Sequence, residues 1–310
     1  IITQRTREYG NIKRLLPVSK KVSCGPDSRK NRILRYGSDC ARGKGCSAYV
    51  GRALYFWQKR FRGSLFTGCN LRCCFCQNRD IAIGDSGLEI TINRLAEIFL
   101  ELQEKGAANI NLVTGTHYIP QIIAALKIAK EKGMNLPAVY NCGGYESVEA
   151  LKMLEGYIDV YLPDYKYAQS ELARKYSHAS DYPQTALRAI GEMLRQTGSA
   201  QFDENGYIRR GTIVRHLILP GHTKNSKEAL TVLHQTYGNQ IYISIMNQYT
   251  PIFKQKEYTE LNRRVTKREY EKVLDYAFEI GIENGFFQDG ETARESFIPA
   301  FDYEGVEKKL

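Results

Sequence analysis

The feature that most constrains the fold is an alternation of β-rich and helical segments, which repeats about six times between Gly63 and Ile280. Strands that are separated by helices pair in parallel through right-handed crossovers, in either an open doubly wound sheet or a barrel. Both architectures place ligand sites at the carboxyl ends of the strands. The predicted strands cover residues 64–67, 109–114, 138–141, 160–166, 212–219 and 240–246.

The helical segments are recognised from apolar residues at helical spacing and from helix-start signals. Pro120 suits the first turn of a helix, and Thr266 with Glu269 forms a capping box at the start of the last one. Asn205 and Gly206 give the two-residue signal of a hairpin. The predicted helices cover residues 92–102, 119–129, 147–155, 170–176, 184–196, 226–236 and 266–280.

A loop with three cysteines follows the first predicted strand directly. Cys69, Cys73 and Cys76 have the spacing C-x3-C-x2-C, and the aromatic Phe75 precedes the last of them. Three thiolates on so short a loop can bind one inorganic centre and leave one coordination position open. A structural zinc site takes four protein ligands, and the local sequence offers no fourth ligand at a fitting spacing. The spacing therefore favours an iron–sulfur cluster over zinc.

Length and composition indicate a folded protein, since 43% of the 310 residues are hydrophobic. No segment approaches the roughly 18 apolar residues of a membrane span, and no leader peptide is recognisable. Four of the eight cysteines lie between Cys69 and Cys76, where disulfides would be strained. We therefore expect reduced thiols in a soluble, cytoplasmic protein.

The net charge of +10 is concentrated in the N-terminal segment. Residues 1–63 contain 16 Lys and Arg and three acidic residues, a net charge of +13, so the remainder carries −3. Such a segment is typical of a surface that binds an acidic protein or nucleic acid, and equally of a solvated extension. We predict an irregular basic extension over residues 1–62, a barrel over residues 63–290 and a tail over residues 291–310.

Five motifs in the chain occur in a characteristic order. They are the cysteine loop at residues 67–78, TGTHYIP at 114–120, YLPDYKY at 161–167, IVRHLILPG at 213–221 and SIMNQYTP at 244–251. Together they resemble the radical S-adenosylmethionine (SAM) superfamily, and within it the branch of uncharacterised proteins related to the pyruvate formate-lyase activating enzyme. The resemblance covers roughly residues 20–290.

The resemblance implies a partial (β/α)6 TIM-type barrel with a 4Fe-4S cluster on Cys69, Cys73 and Cys76. In the family, the free iron binds the amino and carboxyl groups of SAM. Reduction by the cluster cleaves SAM to methionine and a 5′-deoxyadenosyl radical, which abstracts hydrogen from a substrate. The cluster potential must be near the low end of the iron–sulfur range. The expected partner is a low-potential electron donor such as flavodoxin or ferredoxin.

The same resemblance implies cofactor-binding residues at the strand ends. The turn at residues 114–116 lacks the acidic residue common in the family. Asp164 and Lys166 stand two apart on a strand, so both project from one face, where they contact SAM or form a surface ion pair. Arg215 lies in an apolar strand and needs a carboxylate or ribose partner. The full predicted set is Phe75, Thr114, Gly115, Thr116, Asn141, Asp164, Lys166 and Arg215.

Several other residues leave two interpretations open. The glycines after Asn141 either present backbone donors to a ligand or form an ordinary turn. Asn247 and Gln248 either contact adenine or substrate or face solvent. We interpret His216 as a core residue with satisfied hydrogen bonds, and Cys74 and Cys142 are not cluster ligands by spacing.

The N-terminal cysteines resemble a modified form of a cysteine-rich box found in the related branch. Cys24, Cys40 and Cys46 show no compact ligand spacing, and Asp27 occupies the second cysteine position. We interpret them as buried or unpaired thiols, with a second metal site as the alternative. The basic and aromatic run at residues 55–60 is a candidate docking surface for an acidic electron donor.

The sequence leads to three hypotheses about function. The first is radical generation from SAM, with hydrogen abstraction from a protein glycine or another substrate. The second is radical modification of RNA, which the basic N-terminal segment motivates. The third is a non-catalytic iron–sulfur or zinc-binding module, which the open coordination position disfavours.

Overall fold

The structure, a computed structural model, describes residues 46–51, 62–84 and 87–287. Most of the predicted basic extension, with Cys24 and Cys40, lies outside the described residues. The tail over residues 291–310 lies outside them as well. The division into extension, barrel and tail therefore stays a prediction.

A mainly parallel sheet forms the centre of the molecule. Its strands are β1 (Cys46–Gly51), β2 (Arg62–Phe66), β3 (Leu88–Ile90), β4 (Ile110–Val113), β5 (Ala138–Cys142), β6 (Val160–Pro163), β7 (Gln201–Phe202), β8 (Ile208–Leu217), β9 (Tyr242–Met246) and β10 (Gly285–Phe287). Their order is β10-β9-β8-β6-β5-β4-β2-β1-β3, and β7 forms a hairpin with β8.

The pairing of the strands decides between the two predicted architectures. The neighbours from β2 to β10 pair in parallel, whereas β1 pairs antiparallel with β2 and with β3. Within the described ranges, β10 and β3 do not pair with each other, so the sheet stays open. This curved, unclosed arrangement confirms the predicted partial barrel.

Helices connect the parallel strands, and their starts follow from local sequence. The side chains of Thr91 and Ser147 each accept a hydrogen bond from the backbone three residues later. Thr266 and Glu269 complete the predicted capping box. The helices are α1 (Arg79–Ile83), α2 (Ile92–Glu104), α3 (Ile119–Glu131), α4 (Val148–Met153), α5 (Ser170–Ser177), α6 (Tyr182–Thr197), α7 (Thr223–Tyr237) and α8 (Lys267–Glu279), with 3-10 turns at Gly115–Tyr118, Gly238–Gln240 and Thr259–Asn262.

Two apolar clusters hold the strands and helices together. One packs β2, β4 and β5 with α2 and α3, and it fully buries Phe99 and Leu126. The other packs β8 and β9 with α6, α7 and α8 and reaches the cysteine loop through Leu71. Full burial of one such side chain contributes about 1.5–3 kcal/mol. These contacts fix the positions of the strand ends.

The predicted long elements are present, with small shifts at their boundaries. β6 ends at Pro163, three residues before the predicted end, although Asp164 keeps one parallel bridge to Arg215. The sequence did not predict β1, α1, β3 or β10, which have between three and six residues. None of the helices in the described ranges combines the length and apolar character needed to cross a membrane.

Candidate active site

The residues predicted for the site lie along one edge of the sheet. The cysteine loop follows β2, the turn at residues 114–116 follows β4, and Asn141 lies near the end of β5. Asp164 follows β6 directly and bridges to Arg215 near the end of β8. Because the strands are parallel, their carboxyl ends meet at the same edge. The fold therefore gathers the predicted residues on one face.

The start of the cysteine loop is held by α1, which folds back over it. The backbone N–H groups of Gly68 and Cys69 donate to the carbonyls of Ile81 and Ala82, both at 2.9 Å. Gly68 has a φ of +85°, a conformation that favours glycine. These two backbone hydrogen bonds to α1 fix the position of Cys69.

Three hydrogen bonds tie the loop to other parts of the site. The side chain of Asn70 donates to the carbonyl of Tyr145 at 2.6 Å. The backbone N–H of Cys74 donates to the carbonyl of Tyr176 at 2.8 Å, and its carbonyl accepts from the Gln255 side chain at 2.9 Å. The cysteine spacing is local, but the shape of the loop depends on these distant contacts.

The thiols of the loop are partly buried and interact electrostatically. Burial raises the pKa of Cys73, the nearby ammonium of Lys166 opposes that shift, and Cys69 adds to it. Burial, followed by the charges of Cys73 and Cys69, raises the pKa of Cys76 to about 12. The charges of these cysteines therefore interact, and ionising Cys73 and Cys76 together requires a cationic partner.

Three cysteine thiols on one loop are a donor set that suits an iron–sulfur cluster, which cysteine thiolates hold. Iron supplies the positive charge that keeps coordinating thiols deprotonated.

The side chains of Asp164, Lys166 and Arg215 form a charged group beside the loop. Together with Asn141, this charged group connects the ends of β5, β6 and β8. The guanidinium Nη2 of Arg215 lies 2.7 Å from Asp164 Oδ1 and donates to Asn141 Oδ1 at 2.6 Å. Lys166 forms an ion pair with the other carboxylate oxygen of Asp164. The side chains of Asp164, Lys166 and Arg215 are only 10–17% exposed. This is a largely buried network, so the surface ion pair considered from the sequence is wrong.

The network has one more cation than anion. Burial alone would raise the pKa of Asp164, but the charges of Arg215 and Lys166 outweigh it and lower that pKa. For Lys166, burial acts to lower the pKa, while the charges of Asp164 and Cys73 raise it. All three groups are therefore ionised, with a net charge of +1.

The turn at residues 114–116 packs closely against core side chains at Gly115. A Cβ on Gly115 would lie 2.6 Å from Ile122 Cδ1 and 3.2 Å from Tyr140 Cε2. The residue before it, Thr114, has a φ of +60°. One side of the backbone at Gly115 therefore packs against the core. The opposite side of this turn lies at the carboxyl edge of the sheet.

A buried acid supports this turn, although the turn contains none. The hydroxyl of Thr116 donates to Glu146 Oε1 at 2.7 Å, and Glu146 is 2% exposed. Burial raises the pKa of Glu146 to about 7. The sequence analysis missed Glu146; its position just after the glycines that follow β5 is the signal that would have found it.

The two glycines after β5 are explained by packing. A Cβ on Gly144 would lie 2.0 Å from the carbonyl oxygen of Asp164, and one on Gly143 would lie 2.9 Å from Leu71 Cδ1. The Tyr182 hydroxyl lies 2.9 Å from the Gly143 carbonyl and 2.7 Å from that of Asp164. The sequence analysis also missed Tyr182, which holds the ends of β5 and β6 together.

Phe75 packs among aromatic side chains. Its ring packs edge-on against Tyr176 and Tyr249, with centroids 6.4 and 6.0 Å apart. These contacts hold the loop against the second apolar cluster. A role for Phe75 in cofactor binding stays a prediction.

Of the remaining polar candidates, His216 and Gln248 are buried, whereas Asn247 is half-buried and its two interpretations stay open. His216 makes hydrogen bonds to the carbonyl of Tyr165 and the hydroxyl of Ser226, at 2.7 and 2.9 Å. Burial lowers its pKa to about 4, so it is the satisfied core residue that we predicted. Gln248 is 8% exposed, which rules out the solvent-facing alternative for this amide.

Comparison with known proteins identifies the family. The family model of the radical SAM superfamily matches residues 64–233. An uncharacterized protein of Methanocaldococcus jannaschii, MJ0674, is 29% identical over 225 residues. The match covers 70% of this chain and 62% of that protein. This chain therefore corresponds to less than two thirds of the relative's length.

Solved structures share the fold at low sequence identity. SuiB of Streptococcus suis bound to SAM matches with a TM-score of 0.52 at 11% identity, over 94% of this chain and 63% of SuiB. SuiB bound to its precursor peptide SuiA gives 0.50 at 10%, over 94% and 62%. The FeFe-hydrogenase maturase HydG of Carboxydothermus hydrogenoformans gives 0.50 at 11%, over 96% and 72%. Since the family model spans more than half of the sequence, the chain belongs to the radical SAM superfamily, and its cofactors are a 4Fe-4S cluster and SAM.

Proposed function

We propose that Cys69, Cys73 and Cys76 bind the cluster and that the chain cleaves SAM reductively beside them. The observation that carries this proposal is the largely buried group of Asp164, Lys166 and Arg215, which lies at the same edge of the sheet as the cysteine loop. When bound and reduced, the cluster supplies the electron that splits SAM into methionine and a 5′-deoxyadenosyl radical. The protein positions SAM and supplies the charged side chains that bind it.

The charged group suits the methionine part of SAM. Its net charge of +1 complements a carboxylate, and the guanidinium of Arg215 donates in a planar geometry that carboxylates accept. Asn141 and Asp164 orient Arg215 before SAM binds. The turn at residues 114–116 then presents backbone groups to the amino acid moiety. Phe75 shields the loop from solvent.

The substrate we propose is a peptide or protein from which hydrogen is abstracted, as in glycyl-radical activation. The motif resemblance to proteins related to the pyruvate formate-lyase activating enzyme supports this class. SuiB, which shares the fold, has been solved with its precursor peptide. A low-potential flavodoxin or ferredoxin is the electron donor that such a reaction requires. RNA modification rests on the basic N-terminal segment alone, most of which lies outside the described residues.

The deciding experiment measures SAM cleavage directly. The protein is purified without oxygen, reconstituted with iron and sulfide, reduced with dithionite and incubated with SAM. We expect 5′-deoxyadenosine from the wild type and from Cys74→Ala, and neither a cluster spectrum nor 5′-deoxyadenosine from Cys69→Ala. A well-loaded cluster that never yields 5′-deoxyadenosine, together with a Cys69→Ala spectrum like the wild type, would overturn the proposal.

A second experiment addresses the substrate. A candidate peptide or protein with deuterated glycine is added to the reduced enzyme with SAM. Transfer of deuterium into 5′-deoxyadenosine is the expected result for a glycyl substrate. Deuterium transfer from an RNA instead of a peptide would contradict the proposed substrate class while leaving SAM cleavage intact.

A further inference from the structure

The C-terminal end of α5 packs directly on the cysteine loop. The backbone carbonyl of Tyr176 accepts the Cys74 N–H at 2.8 Å. The next residue, Ser177, donates its hydroxyl to Cys73 Sγ at 2.9 Å. His178 then ends the helix with a φ of +52°. The end of this helix therefore places a hydroxyl group on the sulfur of a predicted cluster ligand.

A second hydroxyl supports the first. The hydroxyl of Tyr167 lies 2.7 Å from Ser177 Oγ, and both residues have zero exposure. Ser177 has one hydroxyl proton, and Cys73 Sγ lies within hydrogen-bond distance of it. When Ser177 donates that proton to the sulfur, the proton between Tyr167 and Ser177 must belong to Tyr167. The result is a directed chain of donors from Tyr167 through Ser177 to the sulfur.

The direction of this chain becomes fixed when Cys73 binds a metal. A coordinating thiolate has no proton to donate, so it can only accept. Successive hydrogen bonds polarise one another, and the effect is largest where water is excluded. Ser177 is therefore a stronger donor than an isolated hydroxyl would be.

We propose that Ser177, oriented by Tyr167, is a positioning residue that raises the reduction potential of the cluster through its hydrogen bond to the Cys73 sulfur. Reduction adds negative charge to the cluster and its sulfur ligands. A donor aimed at one of these sulfurs stabilises the reduced state more than the oxidised state. This inference rests on the proposed ligation by Cys73.

The contrast with Cys76 makes the inference testable by mutation. Cys76 accepts a hydrogen bond from the backbone N–H of Asn78, which no side-chain substitution removes. The donor to Cys73 is a side chain, so it can be deleted. The role of Ser177 can thus be separated from the folding of the loop.

The test compares midpoint potentials of reconstituted full-length protein in redox titrations followed by electron paramagnetic resonance. In Ser177→Ala we expect a potential more negative than in the wild type, with an equilibrium constant for reduction roughly two- to tenfold smaller. Tenfold corresponds to about 59 mV for one electron. Tyr167→Phe keeps the serine hydroxyl and should shift the potential in the same direction by less.

Thr197→Ala is the matched control. Its hydroxyl is also buried and pairs with another hydroxyl, that of Thr212 at 3.0 Å, near the start of β8. The midpoint potential of the cluster in Thr197→Ala should equal that of the wild type. An unchanged or more positive potential in Ser177→Ala would overturn the inference.

The outcomes also separate the inference from the proposed function. If Ser177→Ala fails to fold or bind iron, the potential of Tyr167→Phe decides, and a value equal to the wild type would count against the inference. A wild type that assembles no cluster would instead refute the ligation by Cys73. A loaded wild type with SAM cleavage and no shift in either variant would refute only the role of Ser177.

Discussion

The hydroxyl of Thr116 donates a hydrogen bond to the carboxyl group of Glu146 at 2.7 Å. This contact places an acid beneath the turn that follows β4, from a residue thirty positions further along the chain. Glu146 is almost fully buried, so its carboxyl group contacts the turn and not solvent. The ionisation of this acid has consequences that can be measured.

Glu146 should make stability depend on pH. Burial raises its pKa to about 7 from the ordinary value of 4.5, so the folded state holds this proton more tightly than the unfolded state does. Its contribution is therefore neutral below pH 4.5 and becomes increasingly unfavourable as the pH rises towards 7. Glu146→Gln removes this penalty and should gain up to about 3 kcal/mol relative to the wild type between pH 4.5 and pH 8.

The measurement is urea unfolding of the metal-free protein at several pH values across this range. Glu104→Gln, which replaces an exposed carboxylate, serves as the control and should show no such trend. A difference between Glu146→Gln and the wild type that stays constant with pH would contradict the prediction.

Asp164 balances two cations, so its loss should be costly. Asp164→Asn keeps the shape but leaves Lys166 and Arg215 with an uncompensated charge. We expect a loss of about 2–3 kcal/mol in the free energy of unfolding, less than for a fully buried pair because these side chains keep some exposure. Glu271→Gln, which removes an exposed pair with Lys267, should cost less than about 0.5 kcal/mol. Equal costs in urea unfolding would refute the role assigned to Asp164.

Gly144 should tolerate no side chain. Gly144→Ala adds a Cβ 2.0 Å from a backbone oxygen at a φ of +78°, so the ends of β5 and β6 must separate. We expect a loss of more than about 3 kcal/mol. Gly106→Ala has nearly the same φ, +74°, and nothing within 4 Å. It should lose only about 1–2 kcal/mol. Thermal and urea unfolding distinguish the two, and similar losses would show that steric contact is unimportant.

Tyr182 should influence SAM binding without touching SAM. Its hydroxyl accepts the Lys166 N–H at 2.9 Å and lies within hydrogen-bond distance of two carbonyls. Tyr182→Phe leaves these groups unsatisfied, at about 1–3 kcal/mol, and should weaken SAM binding in equilibrium dialysis of the reconstituted protein.

The control for this prediction is Tyr161→Phe. It removes a hydrogen bond to Gln196 on the helix side of the sheet, so it should reduce stability and leave the SAM affinity unchanged. If the two variants bind SAM equally well, Tyr182 has no positioning role.

Local sequence determined the features whose physical cause is local. The alternation of strands and helices follows from the burial period of each segment. The capping box at Thr266 and Glu269 depends on residues three apart. The spacing of Cys69, Cys73 and Cys76 is also a property of one short loop. For this reason these predictions needed no knowledge of the surrounding structure.

Tertiary structure alone decided which groups meet at the site. Arg215 finds Asn141 across 74 residues, and Ser177 reaches Cys73 across 104. The three-residue strand β10 pairs with β9, so its extended conformation depends on an edge supplied by another part of the chain. A polar side chain is satisfied by whichever partner the packing of the core brings within 3 Å. The sequence by itself determined the chemistry that the loop can perform, and the packing of the strands determined the charges that surround it.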